Sequence, residues 1–523
     1  EMVDEKLITT DEAIMRVEPD KLNELLHPAI DPKADKKEIA KGLPASPGAA
    51  SGQIVFNAED AAEWKDEGKK VILVRLETSP EDIEGMNASE GILTARGGMT
   101  SHAAVVARGM GKCCVAGCSE LAVNEEKKTL HIGKDVDLKE GDWITLDGST
   151  GSVYEGKVKT VDASISGDFE TLMKWADEKR TLKVRTNADT PHDAQIARDL
   201  GAEGIGLTRT EHMFFKEERI FVMRQMILAD TKEERVKALD KLEKMQQEDF
   251  EGILKAMHDL PVTIRLLDPP LHEFLPHEDE ELKRIAEEMG VSFEKLKERR
   301  ESLEEFNPML GFRGCRLGMV YPEITEMQTK AIINAAISAT KEGFYVIPEI
   351  EIPIVSLLKE FEFLSKVIRD TADKCLEEAR MKDKVEYTVG SMLELPRACL
   401  IAEELAEKSE FFSFGTNDLT QTTFGFSRDD AGRFISKYII DGVFTEDPFQ
   451  TLDQEGVGKL MEMAIKGARK SNKEVIIGIC GEHGGDPKSI DFCHRAGMDL
   501  VSCSPYRVPI ARLAAAQAAI RNE

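Results

Sequence analysis

The chain is short of the features that mark membrane and nucleic-acid proteins. No apolar run approaches the ~20 residues that a membrane-spanning helix needs, so no membrane partner is expected. The first residues, Glu1-Met2-Val3-Asp4-Glu5, do not read as a secretory signal. Position 1 is Glu, not an initiator Met, so a fragment of a longer protein is one expectation. Cations are scarce: 69 Lys and Arg stand against 97 Asp and Glu, a net charge of −28. A face that tracks a phosphate backbone is basic, so nucleic acid is not expected as a partner. Small phosphate ligands stay open, because they need only a few local arginines. No GxGxxG or Walker A motif follows a strand signal, so neither a dinucleotide nor a P-loop site is read. The nine cysteines include no pair of CxxC motifs. Cys113-Cys114-x3-Cys118 lacks matching partners and reads as buried thiols rather than zinc ligands. Reduced thiols, in the cytosol or a comparable organelle, are the default expectation.

What is present is enough for more than one core. A length of 523 residues exceeds an ordinary single domain. Apolar content of 41% and charged content of 32% describe a globular protein. Residues 1–41 are polar with short helical patches and read as a helical connector. From Gly42-Leu43-Pro44 onward, β-like runs at 53–56, 70–74, 91–94 and 143–146 alternate with turns, which makes 42–155 a small α/β domain. Residues 156–181 read as a linker, the polar kind of stretch that marks boundaries. From residue 182 the pattern alternates strand with helix. Strands are expected at 183–185, 204–207, 262–266, 345–348, 387–389, 411–414, 475–479 and 500–503. Helices are expected among others at 191–200, 326–340, 397–408 and 457–471. Eight βα-type units match a TIM barrel, typically ~250 residues and longer with insertions. Pattern alone leaves an open doubly wound sheet as the alternative.

The stretch from Gly97 to Gly109 carries the first chemistry. Gly97-Gly98 opens a loop, Thr100 and Ser101 are good N-cap residues, and 103–107 reads as a short helix ended by Gly109. His102 then sits at a helix N-terminus, among N–H donors that favour an anion. A neutral imidazole there is a competent nucleophile toward phosphorus.

The second constellation collects at the expected C-terminal ends of the barrel strands, where barrel active sites lie. Arg209 follows the second strand, and Arg265 and Asp268 end the third. Glu349 and Glu351 follow the strand at 345–348. Glu394 lies past Gly390, Gly415-Thr416-Asn417-Asp418 follows Phe414, and Cys480 follows 475–479. Arg209 and Arg265 suit bidentate contacts to phosphate or carboxylate. Glu394 and Asp418 supply hard oxygen ligands of the kind Mg²⁺ takes. Cations of both kinds would stabilise an enolate as it forms. Cys480 is mostly a thiol at neutral pH and suits proton transfer at a methyl carbon.

Long motifs tie both constellations to one family. Gly97 to Cys118 closely resembles the phosphohistidine signature of the phosphoenolpyruvate-utilising enzymes. Leu207-Thr208-Arg209-Thr210-Glu211-His212, Arg265-Leu266-Leu267-Asp268-Pro269-Pro270, Asn307-Pro308-Met309-Leu310-Gly311-Phe312-Arg313-Gly314, Phe414-Gly415-Thr416-Asn417-Asp418 and Gly478-Ile479-Cys480-Gly481-Glu482-His483 resemble the family's barrel. The resemblance covers nearly the whole chain. It implies a small swivelling phosphohistidine domain followed by a (β/α)8 barrel at 182–523 that interconverts phosphoenolpyruvate and pyruvate. It implies His102 as phosphate carrier, Cys480 as catalytic acid, and Arg209 and Arg265 on the substrate, with Arg313 and Asp268 in second rank. It implies Gly415, Thr416 and Asn417 lining the substrate, Mg²⁺ on Glu394 and Asp418, and a homodimer through the barrel. Thr100 is implied as a regulatory phosphosite in plant-like members, with N-capping as the simpler role. An ATP-grasp nucleotide-binding domain is the family's expected partner unit and has no counterpart in this sequence. The expectation is therefore the phosphoenolpyruvate half of a longer reaction, in the cytoplasm or in a plastid or glycosome-like organelle. Met99-Thr100 and Leu267-Asp268-Pro269-Pro270 point to the family's dikinase branch and away from its synthase and sugar-transport branches. A binding module that keeps only the fold is the reading from a different class. Glu351 is a departure: it stands where the family usually has Met.

Overall fold

The computed structural model describes every residue except 80–81, 100, 134–135, 162–166, 216, 277–278 and 306. The C-terminal part is a closed ring of eight parallel strands: Lys183–Asn187 (β1), Ile205–Arg209 (β2), Pro261–Arg265 (β3), Ile347–Ile352 (β4), Thr388–Leu393 (β5), Phe411–Phe414 (β6), Ile476–Ile479 (β7) and Leu500–Cys503 (β8). Each strand pairs with its successor, and β8 returns to β1 with Lys183 opposite Leu500. Closure rules out the open doubly wound sheet. The strands read as near-continuous apolar runs because helices cover the ring's outer face; all four residues of β6 and of β8 are buried.

Two elements differ from the sequence reading. The strand expected to stop at Pro348 runs to Ile352. Pro348 removes a donor, but it is the second residue of β4, a position that tolerates the loss. Glu349 and Glu351 therefore lie within the strand, two apart and on one face, rather than past its end. The helix expected at 397–408 is two helices, Pro396–Leu400 and Ala402–Ala406, broken at Ile401.

The N-terminal part is built on an eight-stranded mixed sheet. Its centre is four parallel neighbours, Ala49–Val55, Val71–Arg75, Gly91–Thr94 and Cys113–Ala116. Glu38–Lys41, from the end of the stretch read as a connector, joins one edge of this sheet. Cys113 and Cys114 point to opposite faces, each into an apolar cluster. The first helical stretch packs on the chain's other end: Ile14, Leu22 and Leu26 share a cluster with Phe169, Met173, Ile510 and Leu513. Gln517 Nε2 donates to the carbonyls of Ile14 and Val17 at 2.8 and 2.7 Å. No helix among the described residues is long and apolar enough to cross a membrane.

The sheet unit docks on the barrel mouth through a few contacts. The Tyr506 ring lies against Gly111, and its other neighbour is the His27 ring at 5.1 Å. Gly111 has φ +63°, and a Cβ there would come within 2.0 Å of the Tyr506 ring. Arg108 faces Glu482 at 3.9 Å. Gly111→Ala therefore meets both a backbone penalty of about 1 kcal/mol and a clash at the docking contact. We predict that this variant separates the two units in the intact chain, enlarging the radius of gyration in solution scattering. An unchanged scattering curve would show that Tyr506 yields instead.

Candidate active site

His102 opens the helix His102–Gly109, which is the crossover between the parallel strands Gly91–Thr94 and Cys113–Ala116. Ala103, Ala104 and Ala107 bury the helix against the sheet, and their small size permits the close approach. The crossover delivers His102 to the carboxyl end of the sheet, the edge where α/β sheets bind ligands. Ser101 occupies the N-cap position, yet its hydroxyl makes no capping bond; it is buried and without a partner. The helix runs through Gly109, and the left-handed residue after it is Gly111. Thr100 lies outside the described residues. Thr78, from the loop after Val71–Arg75, fixes the imidazole: its Oγ1 lies 3.0 Å from His102 Nδ1. Burial, with smaller contributions from His212 and Arg428, lowers the His102 pKa to about 4. The ring is therefore neutral at physiological pH.

The barrel contributes a charged mouth. Arg265 ends β3 and is pinned by Glu211 Oε1 at 2.5 Å and Asp268 Oδ2 at 3.0 Å. Asp268 also accepts from Arg313 Nη2 at 2.6 Å, so its carboxylate is shared between two guanidiniums. Arg313 reaches on to Asp418 Oδ1 at 3.4 Å. Arg209 at the end of β2 is positioned differently. Asp189 accepts from its backbone N–H at 2.7 Å, and its side chain lines the open cavity. His212 is held by the same Asp189, Nδ1 to Oδ2 at 2.7 Å.

The two carboxylates expected to hold a metal sit on neighbouring strands. Glu394 follows β5 and is buried; Asp418 lies in the first turn of the helix after β6. Glu394 Oε1 accepts from the Ile354 N–H at 2.6 Å. Ile354 is β-branched and has φ +51°, a strained conformation for such a residue. Gly314 makes room for it: φ is +57°, and a Cβ would meet Ile354 Cγ2 at 2.3 Å. Burial, then the charges of Asp418 and Asp268, raises the Glu394 pKa well above the carboxylate range. No group of three or more His, Cys, Asp or Glu side chains suited to a metal is present among the described residues. Two oxygen donors that repel each other nonetheless fit Mg²⁺, which usually takes one or two carboxylates and fills its shell with substrate oxygens and water.

Cys480 follows β7 and is buried in a small cluster with Leu207 and Met392. Burial, then the charge of Glu351, pushes its pKa up to about 12, so it is a thiol. Its S–H points to the Phe414 carbonyl at 3.6 Å, and its own carbonyl accepts from Asn187 Nδ2 at 2.9 Å.

One cavity of about 2260 Å³ opens between the two units and brings these groups together. His102 lines it from the sheet side; Arg209, Arg265, Glu394, Asp418 and Cys480 line it from the barrel side. Asp268, Arg313, Gly415 and Asn417 line it as well. Thr416 does not: it is buried, and its Oγ1 lies 2.8 Å from His483 Nδ1. Thr78 and Arg428 also line the cavity and were missed in the sequence. Neither carries a motif, and Thr78 lies 24 residues from the histidine it holds.

Comparison with known proteins matches two family models. "PEP-utilising enzyme, PEP-binding domain" covers residues 164–520, and "PEP-utilising enzyme, mobile domain" covers residues 67–151. Pyruvate, phosphate dikinase of Clostridium symbiosum is 55% identical over 526 residues, spanning 100% of this chain and 60% of that protein. The chloroplastic enzyme of Flaveria pringlei is 57% identical over 525 residues, 99% of this chain and 55% of its own. Chloroplastic pyruvate, phosphate dikinase 1 of Arabidopsis thaliana is 57% identical over 524 residues, 99% of this chain and 54% of its own. The chain thus spans little more than half the length of these relatives.

A pH prediction follows from Glu351. It is fully buried, and burial first, then the charge of Glu349, raises its pKa from 4.5 to about 8. Between those values the folded chain holds a proton that the unfolded chain has lost. Stability therefore falls as pH rises from about 4.5 to about 8 and keeps the loss above it, a contribution on the order of a few kcal/mol. Glu351→Gln should flatten this slope in chemical-denaturation midpoints taken across the range. Parallel curves for the two proteins would show that the carboxyl ionises normally.

Proposed function

Because the chain belongs to the family of PEP-utilising enzymes, we propose that it interconverts phosphoenolpyruvate and pyruvate through a phosphoryl group carried on His102. This is one half of the pyruvate, phosphate dikinase reaction. The observation that carries the reading is the shared cavity: a neutral, Thr78-anchored imidazole and the Arg209, Arg265, Glu394, Asp418 and Cys480 side chains line one space.

In this reading Nδ1–H donates to Thr78 Oγ1, which leaves the Nε2 lone pair as nucleophile. Nε2 attacks phosphorus, an N–P bond forms, and the P–O bond to the enolate oxygen breaks. Arg209 and Arg265 bind phosphate and carboxylate oxygens, and Asp268 positions Arg265 and Arg313 rather than touching substrate. Gly415 and Asn417 line the substrate, and Thr416 supports that loop from below through His483. Glu394 and Asp418 would hold Mg²⁺, whose charge would stabilise the enolate and phosphoryl oxygens. Cys480 transfers its thiol proton to the methylene carbon, completing the methyl of pyruvate. The reverse direction uses the same groups.

The full reaction turns ATP, pyruvate and phosphate into AMP, phosphoenolpyruvate and diphosphate. It requires an ATP-grasp domain, and the greater length of the relatives supports one in the complete protein. Identity of 55–57% to dikinases favours this branch over phosphoenolpyruvate synthase or a phosphoenolpyruvate-protein phosphotransferase. In this reading a swivelling phosphohistidine domain, expected at 42–155 and extended by Glu38–Lys41 at its sheet edge, is flanked by the connector and the linker expected at 1–41 and 156–181, and the barrel follows at 182–523. The proposal also includes a homodimer through the barrel and a compartment with reduced thiols, cytoplasmic or plastid- or glycosome-like. Thr100 remains a proposed phosphosite: a phosphate there adds ~2 negative charges beside the incoming phosphoryl group.

Incubation with phosphoenolpyruvate and Mg²⁺ tests the reading. Pyruvate and acid-labile protein phosphate should appear in equal amounts, and both should vanish in His102→Ala or when Mg²⁺ is omitted. Binding without label would assign a non-catalytic module. The lowered His102 pKa makes a second prediction. An ordinary histidine nucleophile loses activity as pH falls through about 6.5. Here the His102 ring of the free protein should stay neutral down to about pH 4 in an NMR titration, its signal assigned by its absence from His102→Ala; a midpoint near 6.5 for that signal would contradict it.

A further inference from the structure

Glu351 is the barrel's unassigned acid. It is fully buried in the middle of β4, and neither carboxyl oxygen completes a hydrogen bond. Every cation near it is committed elsewhere. Arg265, its register partner on β3, is held by Glu211 and Asp268. Arg185 on β1 is held by Glu349, whose Oε2 lies 2.6 Å from Arg185 Nη1 and 2.6 Å from Thr263 Oγ1. The charged groups facing Glu351 are thus Arg265 from β3, Glu349 from its own strand and Asp268 beyond β3. Two strands along the ring, Ser413 on β6 is a neighbour of both Glu351 and Cys480. The Glu351 carboxyl in turn acts on the Cys480 thiol.

A buried carboxyl that makes no hydrogen bond, and whose nearest cation is already held by two other carboxylates, keeps its proton, and here that proton lies beside a hydroxyl and a thiol. We propose that Glu351 is the proton reservoir of Cys480, exchanging protons with it through the Ser413 hydroxyl. This rests on Cys480 acting at the methyl carbon. When the thiol gives its proton to the enolate carbon, Ser413 O–H protonates the thiolate and the Glu351 carboxyl protonates Ser413. The net transfer is one proton from Glu351 to carbon, and the carboxylate left behind faces the Arg265 guanidinium. In the reverse direction the proton taken from the methyl group returns to Glu351. The burial-raised pKa of about 8 lets Glu351 both donate and accept near neutrality. Glu351 is thus a positioning and relay residue, and Cys480 remains the group at substrate.

Two readouts test this in the intact chain. Infrared difference spectra of the free protein should show a protonated-carboxyl band that fades as pH passes about 8 and is missing from Glu351→Gln. Exchange of pyruvate methyl hydrogens with solvent deuterium, with Mg²⁺ present, should slow by about tenfold in Glu351→Gln and in Ser413→Ala. Ser413→Ala should keep the carboxyl band, and both variants should keep the wild-type circular dichroism. No pH-dependent band, no exchange in the wild type, or equal exchange in all three proteins would overturn the proposal. Loss of phosphohistidine formation with normal exchange would instead sink the phosphotransfer reading and leave the relay standing.

Discussion

Asp268 holds two guanidiniums at once, Arg265 at 3.0 Å and Arg313 at 2.6 Å, and the barrel mouth depends on that sharing. A closed parallel barrel has little water inside, so each interior charge needs a partner of opposite sign. The barrel meets this in layers. Arg185, Glu349 and Thr263 form the lower one. Arg265, Glu211, Asp268 and Arg313 form the upper one, at the ends of the strands. Fixing Arg265 from two sides leaves it unable to swing toward its other neighbours. Glu351 lies in register with Arg265, a cation already held by Glu211 and Asp268, and it forms no hydrogen bond of its own. Its neutrality is therefore a consequence of how completely the two arginine layers are satisfied.

Desolvation then sets three protonation states. The same burial that pushes the Cys480 pKa up to about 12 lowers that of His102 to about 4. The signs differ because burial always opposes the charged form, thiolate in one case and imidazolium in the other. A nucleophile needs its lone pair, and a carbon acid-base catalyst working toward pyruvate needs its proton. Burial at the walls of one cavity supplies both without a separate device for each. Glu394 feels the same penalty, increased by Asp418 and Asp268. A proton relieves that repulsion in the free protein, and a divalent cation would displace it.

The architecture was legible wherever one local signal sufficed. The barrel strands are apolar runs with turn residues between them, and periodicity placed all eight. Motif wording located His102, Arg209, Arg265, Glu394, Asp418 and Cys480, and the barrel and sheet bring them to one cavity. What escaped depends on contacts between distant segments. Thr78 is an unremarked loop residue until the sheet sets it beside His102. The polarity of the barrel's inside hides the length of β4, because Pro348 and two glutamates do not read as strand. Ser101 has the right identity for a cap, yet burial turns its hydroxyl away from the helix. Thr416 shows the limit of the family resemblance: it marks residues that matter, while the structure separates those facing the cavity from those, like Thr416, that support them from behind.

The docking contacts explain how one histidine could serve two sites. Arg108 is the charged residue of the carrier helix nearest the barrel. Its guanidinium already donates to the Met99 and Ala104 carbonyls within its own unit, at 2.6 and 3.2 Å. The contact to Glu482 is longer, 3.9 Å. Undocking would therefore leave Arg108 with its hydrogen bonds and return Glu482 to water, where a carboxylate is well solvated. The Tyr506 ring buries a glycine face, which exposes little apolar side chain when it parts. An interface of this kind costs little to open, since neither half keeps an unpaired buried charge. The strong pairings, at Asp268 and at Glu349, all lie within the barrel. The barrel mouth is thus held rigid while the unit that bears His102 is releasable, which is the division of strength that the proposed shuttling of a phosphohistidine would require.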